Sequence, residues 1–86
     1  MNDALIAQIK LDFDESEFGL VLSELESVTL EHVMASSQAN LDNTRSSIVK
    51  LSKGSLTEVG RLVEAAKKDF RDVVYWASLD NEQRNT

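Results

Sequence analysis

Residues 55–77 read SLTEVGRLVEAAKKDFRDVVYWA, and the spacing of their apolar side chains decides the fold class. The apolar positions advance in alternating steps of three and four residues, which places them on one stripe of an α-helix. The members of this stripe are Leu56, Val59, Val63, Ala66, Phe70, Val73 and Ala77. The stripe predicts a long amphipathic helix over residues 55–79, with one buried face.

A short turn precedes this predicted helix. Gly54 lies where the residue after a helix adopts the left-handed conformation that glycine takes easily. Ser55 and Glu58, three residues apart, have the form of a capping box, which starts a helix. A helix end followed so closely by a helix start predicts an antiparallel αα-hairpin.

The first arm of the hairpin is predicted over residues 29–53, with Thr29 as its cap. Apolar side chains recur there at seven-residue spacing, which is typical of a packed helical stripe. Residues 36–43 are poor in strong helix formers, so a break or bend in that stretch is an open alternative. If both arms are continuous, their register places Trp76 near His32 and Val74 near Met34.

A third helix is predicted over residues 15–27. Asp14 and Glu17 resemble a capping box, and acidic side chains crowd the first turn, where the helix dipole favours them. The apolar residues that follow Phe18 keep helical spacing through Val28.

Residues 7–14 alternate apolar and polar side chains, which favours a short N-terminal β-strand. A helix is the alternative reading, although it would leave Leu11 exposed to water. A lone strand leaves its backbone groups unpaired, so it would need a partner strand such as residues 18–23 or a second chain. The predicted fold class is therefore mainly α, with α+β and an N-terminal β-hairpin as the alternative.

The size and composition indicate a single small domain over residues 1–86 with a polar, frayed tail at 80–86. The formal net charge is −6, and residues 1–32 carry eight acidic side chains against Lys10 alone. This charge is unsuited to nucleic acids and anionic membranes. The sequence contains no Cys and no long apolar segment, so we expect a cytoplasmic protein.

The sequence carries no motif for catalysis or for cofactor binding. His32 is the single histidine, and there is neither a cysteine nucleophile nor a glycine-rich phosphate loop. We therefore predict no catalytic residue, no cofactor and no metal. Two alternatives remain open at this point. One is a small dimeric enzyme that brings Asp69, His32 and Arg71 together, and the other is a metal-binding bundle that uses Glu24, Glu31 and His32.

The last predicted helix contains residues that a simple hairpin does not require. Asp69 lies at the edge of the apolar stripe, and Tyr75 lies on the outer row, away from Phe70. A helix end that is apolar nearly all round is usually covered by another element or another chain. The predicted partner-binding residues are Asp69, Arg71, Asp72, Tyr75 and Trp76.

The leading interpretation is a small, acidic, non-enzymatic protein that acts through protein–protein interaction or as a regulatory partner. A homodimer is predicted, because a long thin hairpin cannot bury both of its apolar flanks by itself. A different protein partner is the other expectation.

Overall fold

The structure of the protein is a computed structural model that describes the backbone of residues 1–84 and the side chains of residues 1–80. Over residues 1–84 the chain forms five α-helices and no strand. The helices are α1 (Asp3–Asp12), α2 (Phe18–Glu26), α3 (Gln38–Ser52), α4 (Leu56–Lys68) and α5 (Phe70–Arg84). Short 3₁₀ turns occupy Glu15–Glu17, Leu30–His32 and Met34–Ser36. The predicted mainly-α class is confirmed.

The hydrophobic core takes side chains from all five helices. The radius of gyration is 12.1 Å, which matches the value of about 12 Å expected for a compact chain of this length. Side chains with no exposed surface include Ile9, Val21, Leu25, Ile48, Val63 and Val73. The chain is therefore not the long thin hairpin that the sequence suggested, because its other helices cover the hairpin.

The N-terminal strand predicted at residues 7–14 is wrong, since α1 is a helix. The side chain of Asn2 caps it by accepting a hydrogen bond from the Leu5 backbone amide at 2.8 Å. Leu5 and Ile9 are buried at a spacing of four residues, and Leu11 is 81% exposed. A helix satisfies its own backbone hydrogen bonds, whereas a lone strand would not, and this outweighs the alternation of side chains.

The predicted third helix is confirmed as a 3₁₀ turn followed by α2. Asp14 caps this turn through Ser16, whose backbone amide and hydroxyl both donate to the carboxylate, at 3.1 and 2.6 Å. The far end of α2 is closed by Arg45 of α3, which donates to the carbonyl oxygens of Leu25 and Val28 at 3.1 and 2.7 Å. This contact joins α2 to the hairpin.

The first arm of the hairpin is shorter than predicted, because α3 begins only at Gln38. Residues 29–37 form two 3₁₀ turns in which Ala35 and Ser36 have positive φ angles of 58° and 48°. The side chain of Ser37 then starts α3 by accepting a hydrogen bond from the Asn40 amide at 3.2 Å. The break overlaps the predicted weak stretch, residues 36–43, only at Ser36 and Ser37, and the rest of that stretch is helical.

The predicted turn between the two arms is confirmed. Lys53 and Gly54 both adopt positive φ angles, of 50° and 82°, and Ser55 caps α4 by accepting from the Glu58 amide at 3.3 Å. A Cβ atom on Gly54 would lie 2.6 Å from the carbonyl oxygen of Asp12. Glycine is therefore needed here both for the turn and for close packing against the end of α1.

The second arm is two helices rather than the single helix predicted over residues 55–79. The chain is extended at Asp69, with φ −158° and ψ 101°, and α5 then folds back to pack mainly on α3. Lys53 in the hairpin turn lies 3.4 Å from the Asp80 carboxylate of α5. Because α5 returns toward the turn, Val74 lines the same depression as Ser47 and Lys50, and the register predicted for two continuous arms does not apply.

The frayed tail predicted at 80–86 lies partly outside the described residues. The α5 backbone runs to Arg84, and the tail stays a prediction. In the described part of the chain, no helix is both long enough and apolar enough to cross a membrane.

Candidate functional site

The start of α5 is organised by Asp69. Its carboxylate accepts the Arg71 backbone amide at 3.1 Å and forms a bidentate pair with the Arg71 guanidinium, with both N–O distances at 3.0 Å. The Arg71 guanidinium, helped by its backbone amide, holds the pKa of the Asp69 carboxyl below its ordinary value. Asp69 is therefore the cap of α5, and its charge is already matched within the chain.

The residues around Asp69 carry a local signal for a helix end, although the sequence predicted one continuous helix. Lys67 and Lys68 lie in the last turn of α4, where cations are favoured, and Asp69 is followed three residues later by Asp72. A cationic last turn, a capping acid and an acidic first turn together mark a helix end followed by a helix start. The apolar stripe continues across this boundary without interruption, so its periodicity predicted a single helix.

The outer face of α5 is apolar. We define it by Tyr75, Trp76 and Leu79, which are 61%, 38% and 37% exposed. At about 100° per residue, these three side chains fall within an arc of about 100°, and Asp72 lies inside the same arc. The sequence predicted the outer position of Tyr75 and named Trp76 as a partner-binding residue, but it overlooked Leu79, which follows Tyr75 by one turn.

The opposite side of α5 is also apolar, because Val73 and Ala77 are buried against the rest of the protein at 0% and 5% exposure. A helix on the surface of a globular protein normally carries polar side chains opposite its buried stripe. In α5 the core takes up one apolar side, and the outer face remains in solvent. The fold therefore does not account for the outer face of α5.

The three residues of the enzyme alternative, His32, Asp69 and Arg71, line the same shallow depression of about 330 Å³. His32 Nδ1 accepts a hydrogen bond from the Thr29 backbone amide at 3.0 Å, which closes a 3₁₀ turn. The acceptor role leaves the ring proton on Nε2. The Asp69 carboxylate is paired with the Arg71 guanidinium. Both groups have structural partners, so the depression does not present a free acid and a free base.

The metal-binding alternative used Glu24, Glu31 and His32. Glu24 belongs to α2, whereas Glu31 and His32 belong to the 3₁₀ turn that follows it. Among the described residues, no three His, Cys, Asp or Glu side chains come close enough together to hold a metal ion. The geometry gives this alternative no support.

The predicted partner-binding residues are thus divided between two roles. Asp69 and Arg71 build the start of α5, while Asp72, Tyr75 and Trp76 lie on its exposed side. No family model matches this chain, and no curated protein or solved structure shows significant similarity to it. A functional assignment therefore depends on the geometry of the exposed side of α5.

Proposed function

We propose that this is a small, non-enzymatic protein that acts by protein–protein interaction, and that the outer face of α5 is its contact surface. The observation that carries the proposal is the pair of apolar sides on one helix. Val73 and Ala77 are buried and Phe70 packs partly against the core, yet Tyr75 and Leu79 remain exposed on the outer face. Contiguous apolar surface of this kind is typical of an interaction site.

The chemistry of the three side chains supports the same proposal. Tyr and Trp are enriched at protein interfaces, because each combines a large apolar area with one polar group at low entropic cost. Asp72, in the centre of the arc, adds a charge that a partner must match or avoid. A contact built from two aromatic rings, one aliphatic side chain and one acid has both affinity and selectivity.

The first assembly that we propose is a homodimer in which the outer faces of two α5 helices pack antiparallel about a two-fold axis. With the axis midway between Trp76 and Leu79, each Trp76 lies level with the partner's Leu79. The two Asp72 positions are then separated along the helix by about 16 Å. This is beyond the screening length of about 8 Å at physiological salt, so their repulsion is weak.

The reason to expect a dimer differs from the one that the sequence suggested. The sequence favoured a dimer because a thin hairpin would leave both apolar flanks uncovered, and the structure shows that α1, α2 and α5 cover the hairpin. The case for a dimer now depends on the outer face of α5 alone.

The test compares Leu79→Ser with Leu30→Ser, because both leucines are 37% exposed and the chemical change is the same. Sedimentation velocity over a wide concentration range gives the monomer–dimer constant of each protein. We expect the wild type and Leu30→Ser to dimerise alike, and Leu79→Ser to weaken the dimer by about tenfold or more, as for a hot-spot side chain.

The single Trp of the chain gives a second measurement without a label. Because Trp76 lies on the proposed contact, its emission should shift to the blue as the dimer forms and should follow the mass determined by sedimentation. A wild type that stays monomeric at all concentrations would exclude the homodimer. In that case, capture of the same host proteins by Leu79→Ser and Leu30→Ser would exclude the outer face of α5 as a contact surface.

A further inference from the structure

A second surface lies between the end of α1 and the start of α2, and no residue of α5 lines it. It is a groove of about 400 Å³ that is walled by Lys10, Phe13, Glu15 and Phe18. Phe13 is 7% exposed and belongs to the core, and Phe18 is half-buried against the core. The floor of the groove is therefore held in place by the fold, and it offers aromatic carbon to solvent.

The single cation of residues 1–32 lies at the rim of this groove. The Lys10 ammonium group is 5.8 Å from the centroid of the Phe18 ring, within range of a cation–π contact. This placement shows that the Phe18 ring face accommodates a positively charged side chain. The aliphatic part of Lys10 covers apolar surface while its charge remains in water.

Glu15 is the acidic residue that lines the groove, and it belongs to an acidic stretch of the sequence. Asp12, Asp14, Glu15 and Glu17 fall within six consecutive residues, and residues 1–32 have a net charge of −7. Asp14 and Glu15 are exposed, and the Ser16 hydroxyl and amide hold the pKa of the Asp14 carboxyl below its ordinary value. The Asp14 carboxylate is therefore ionised at neutral pH, and this acidic stretch creates a negative potential around an apolar opening.

We propose that this groove binds a basic amphipathic segment of a partner protein, with one apolar side chain between Phe13 and Phe18 and flanking Lys or Arg side chains against the surrounding acids. The potential selects the occupant. An anionic ligand or a nucleic acid would be repelled, and a second copy of this chain would bring the same acidic surface. A basic segment gains from both the apolar floor and the acidic side chains.

The probe is a synthetic peptide of about 14 residues, or four helical turns, with Lys and Leu at helical spacing and no aromatic residue. Two matched peptides accompany it: one has Glu in place of Lys, and the other has Ser in place of Leu. Each is titrated into ¹⁵N-labelled protein while amide shifts are followed. We expect the Lys/Leu peptide to shift the amides of residues 10–18, with affinity that falls as salt is added.

The matched peptides test the apolar contact and the electrostatic contact separately. If the Lys/Ser peptide binds as tightly as the Lys/Leu peptide, the groove contributes nothing and the contact is only electrostatic. If the Glu/Leu peptide binds equally well, charge does not select the occupant. If the shifts centre on the indole of Trp76 rather than on residues 10–18, the peptide uses the outer face of α5. Each result would overturn the proposal.

A matched pair of variants tests the location. Glu15→Lys reverses one charge at the groove, and Glu64→Lys makes the same change on α4, where the side chain of Glu64 is 71% exposed. We expect Glu15→Lys to weaken binding of the Lys/Leu peptide at least about fivefold more than Glu64→Lys does. Equal weakening by the two variants would show that only net charge matters. Dimerisation through α5 should be unaffected by either variant, so this result is independent of the proposed function.

Discussion

The consecutive helices α4 and α5 have similar lengths, 13 and 15 residues, but they divide their side chains differently. α4 buries Val59, Leu62, Val63 and Ala66 on one side. Its opposite side carries ion pairs within the helix, Glu58 with Arg61 at 2.6 Å and Glu64 with Lys67 at 3.7 Å. Everything in α4 is accounted for by packing on one side and solvation on the other.

α5 cannot be explained in the same way. Its inner side packs on α3 and α4 through Val73 and Ala77, while Tyr75, Trp76 and Leu79 stay exposed. A protein of 86 residues has a limited core, and an apolar side chain left in water adds nothing to that core. The difference between the two helices shows which apolar residues serve the fold and which are available for an interaction.

Truncating one leucine in each helix should give the largest contrast. Leu62 is 1% exposed and Leu79 is 37% exposed. Leu62→Ala leaves a cavity in the core and should lower the free energy of unfolding by about 2–5 kcal/mol. Leu79→Ala should lower it by less than Leu62→Ala does in the monomer, since 37% of the Leu79 surface is already in water. Urea unfolding at low protein concentration, followed by circular dichroism, measures both.

Equal losses from the two truncations would remove the contrast, because Leu79 would then serve the core as Leu62 does. A loss for Leu79→Ala that grows with protein concentration would instead connect its side chain to the dimer.

A smaller effect is expected from the glycines that precede and lie within α4. Gly54→Ala should lower the free energy of unfolding by more than about 1 kcal/mol, because φ is 82° and the new Cβ would meet the Asp12 carbonyl oxygen. Gly60 is inside the helix, and a Cβ there would meet no atom within 4 Å. Gly60→Ala should therefore raise stability by up to ~1 kcal/mol.

The thermal midpoints of the two alanine variants should move in opposite directions. If Gly54→Ala leaves the thermal midpoint unchanged, α1 does not pack against the turn as described. The explanation given for the start of α4 would then be weakened.

The facing of the apolar stripe could be predicted from its periodicity, but whether one helix or two carry the stripe could not. Val59, Val63, Ala66 and Val73 all point into the core, as the three- and four-residue steps require. The break at Asp69 keeps this spacing in phase across two helices, so periodicity cannot reveal it. The break is stabilised by Arg71 and by the return of α5 onto α3, and the second of these is a tertiary contact.

The wrong prediction of a strand in the N-terminal segment has a related cause. Alternation over residues 7–14 and helical spacing of Leu5, Ile9 and Phe13 are both present in the same sequence. The Asn2 cap was the local signal that distinguishes them. The groove between Phe13 and Phe18 could not be predicted, because it exists only when this segment is a helix that ends beside α2.

The smallest effect concerns the way in which α5 begins, and it depends on pH. The Arg71 ion pair lowers the pKa of Asp69 in the folded protein, so the ionised form stabilises the fold. This contribution is complete above the ordinary pKa of an aspartate and is lost as the pH falls through the lowered value. Asp69→Asn should therefore reduce the free energy of unfolding at neutral pH, and the difference from the wild type should shrink in strong acid.

Asp72→Asn is the matched control, since it makes the same charge change in the same helical turn and leaves the Asp69–Arg71 pair in place. Both variants remove a negative charge that favours the helix dipole, so only the difference between them reports the ion pair. If the two variants lose the same stability at every pH, α5 begins like any helix with an acidic first turn. A larger loss for Asp69→Asn would show that this residue determines where α4 ends and α5 turns back, and therefore which side chains α5 presents to solvent.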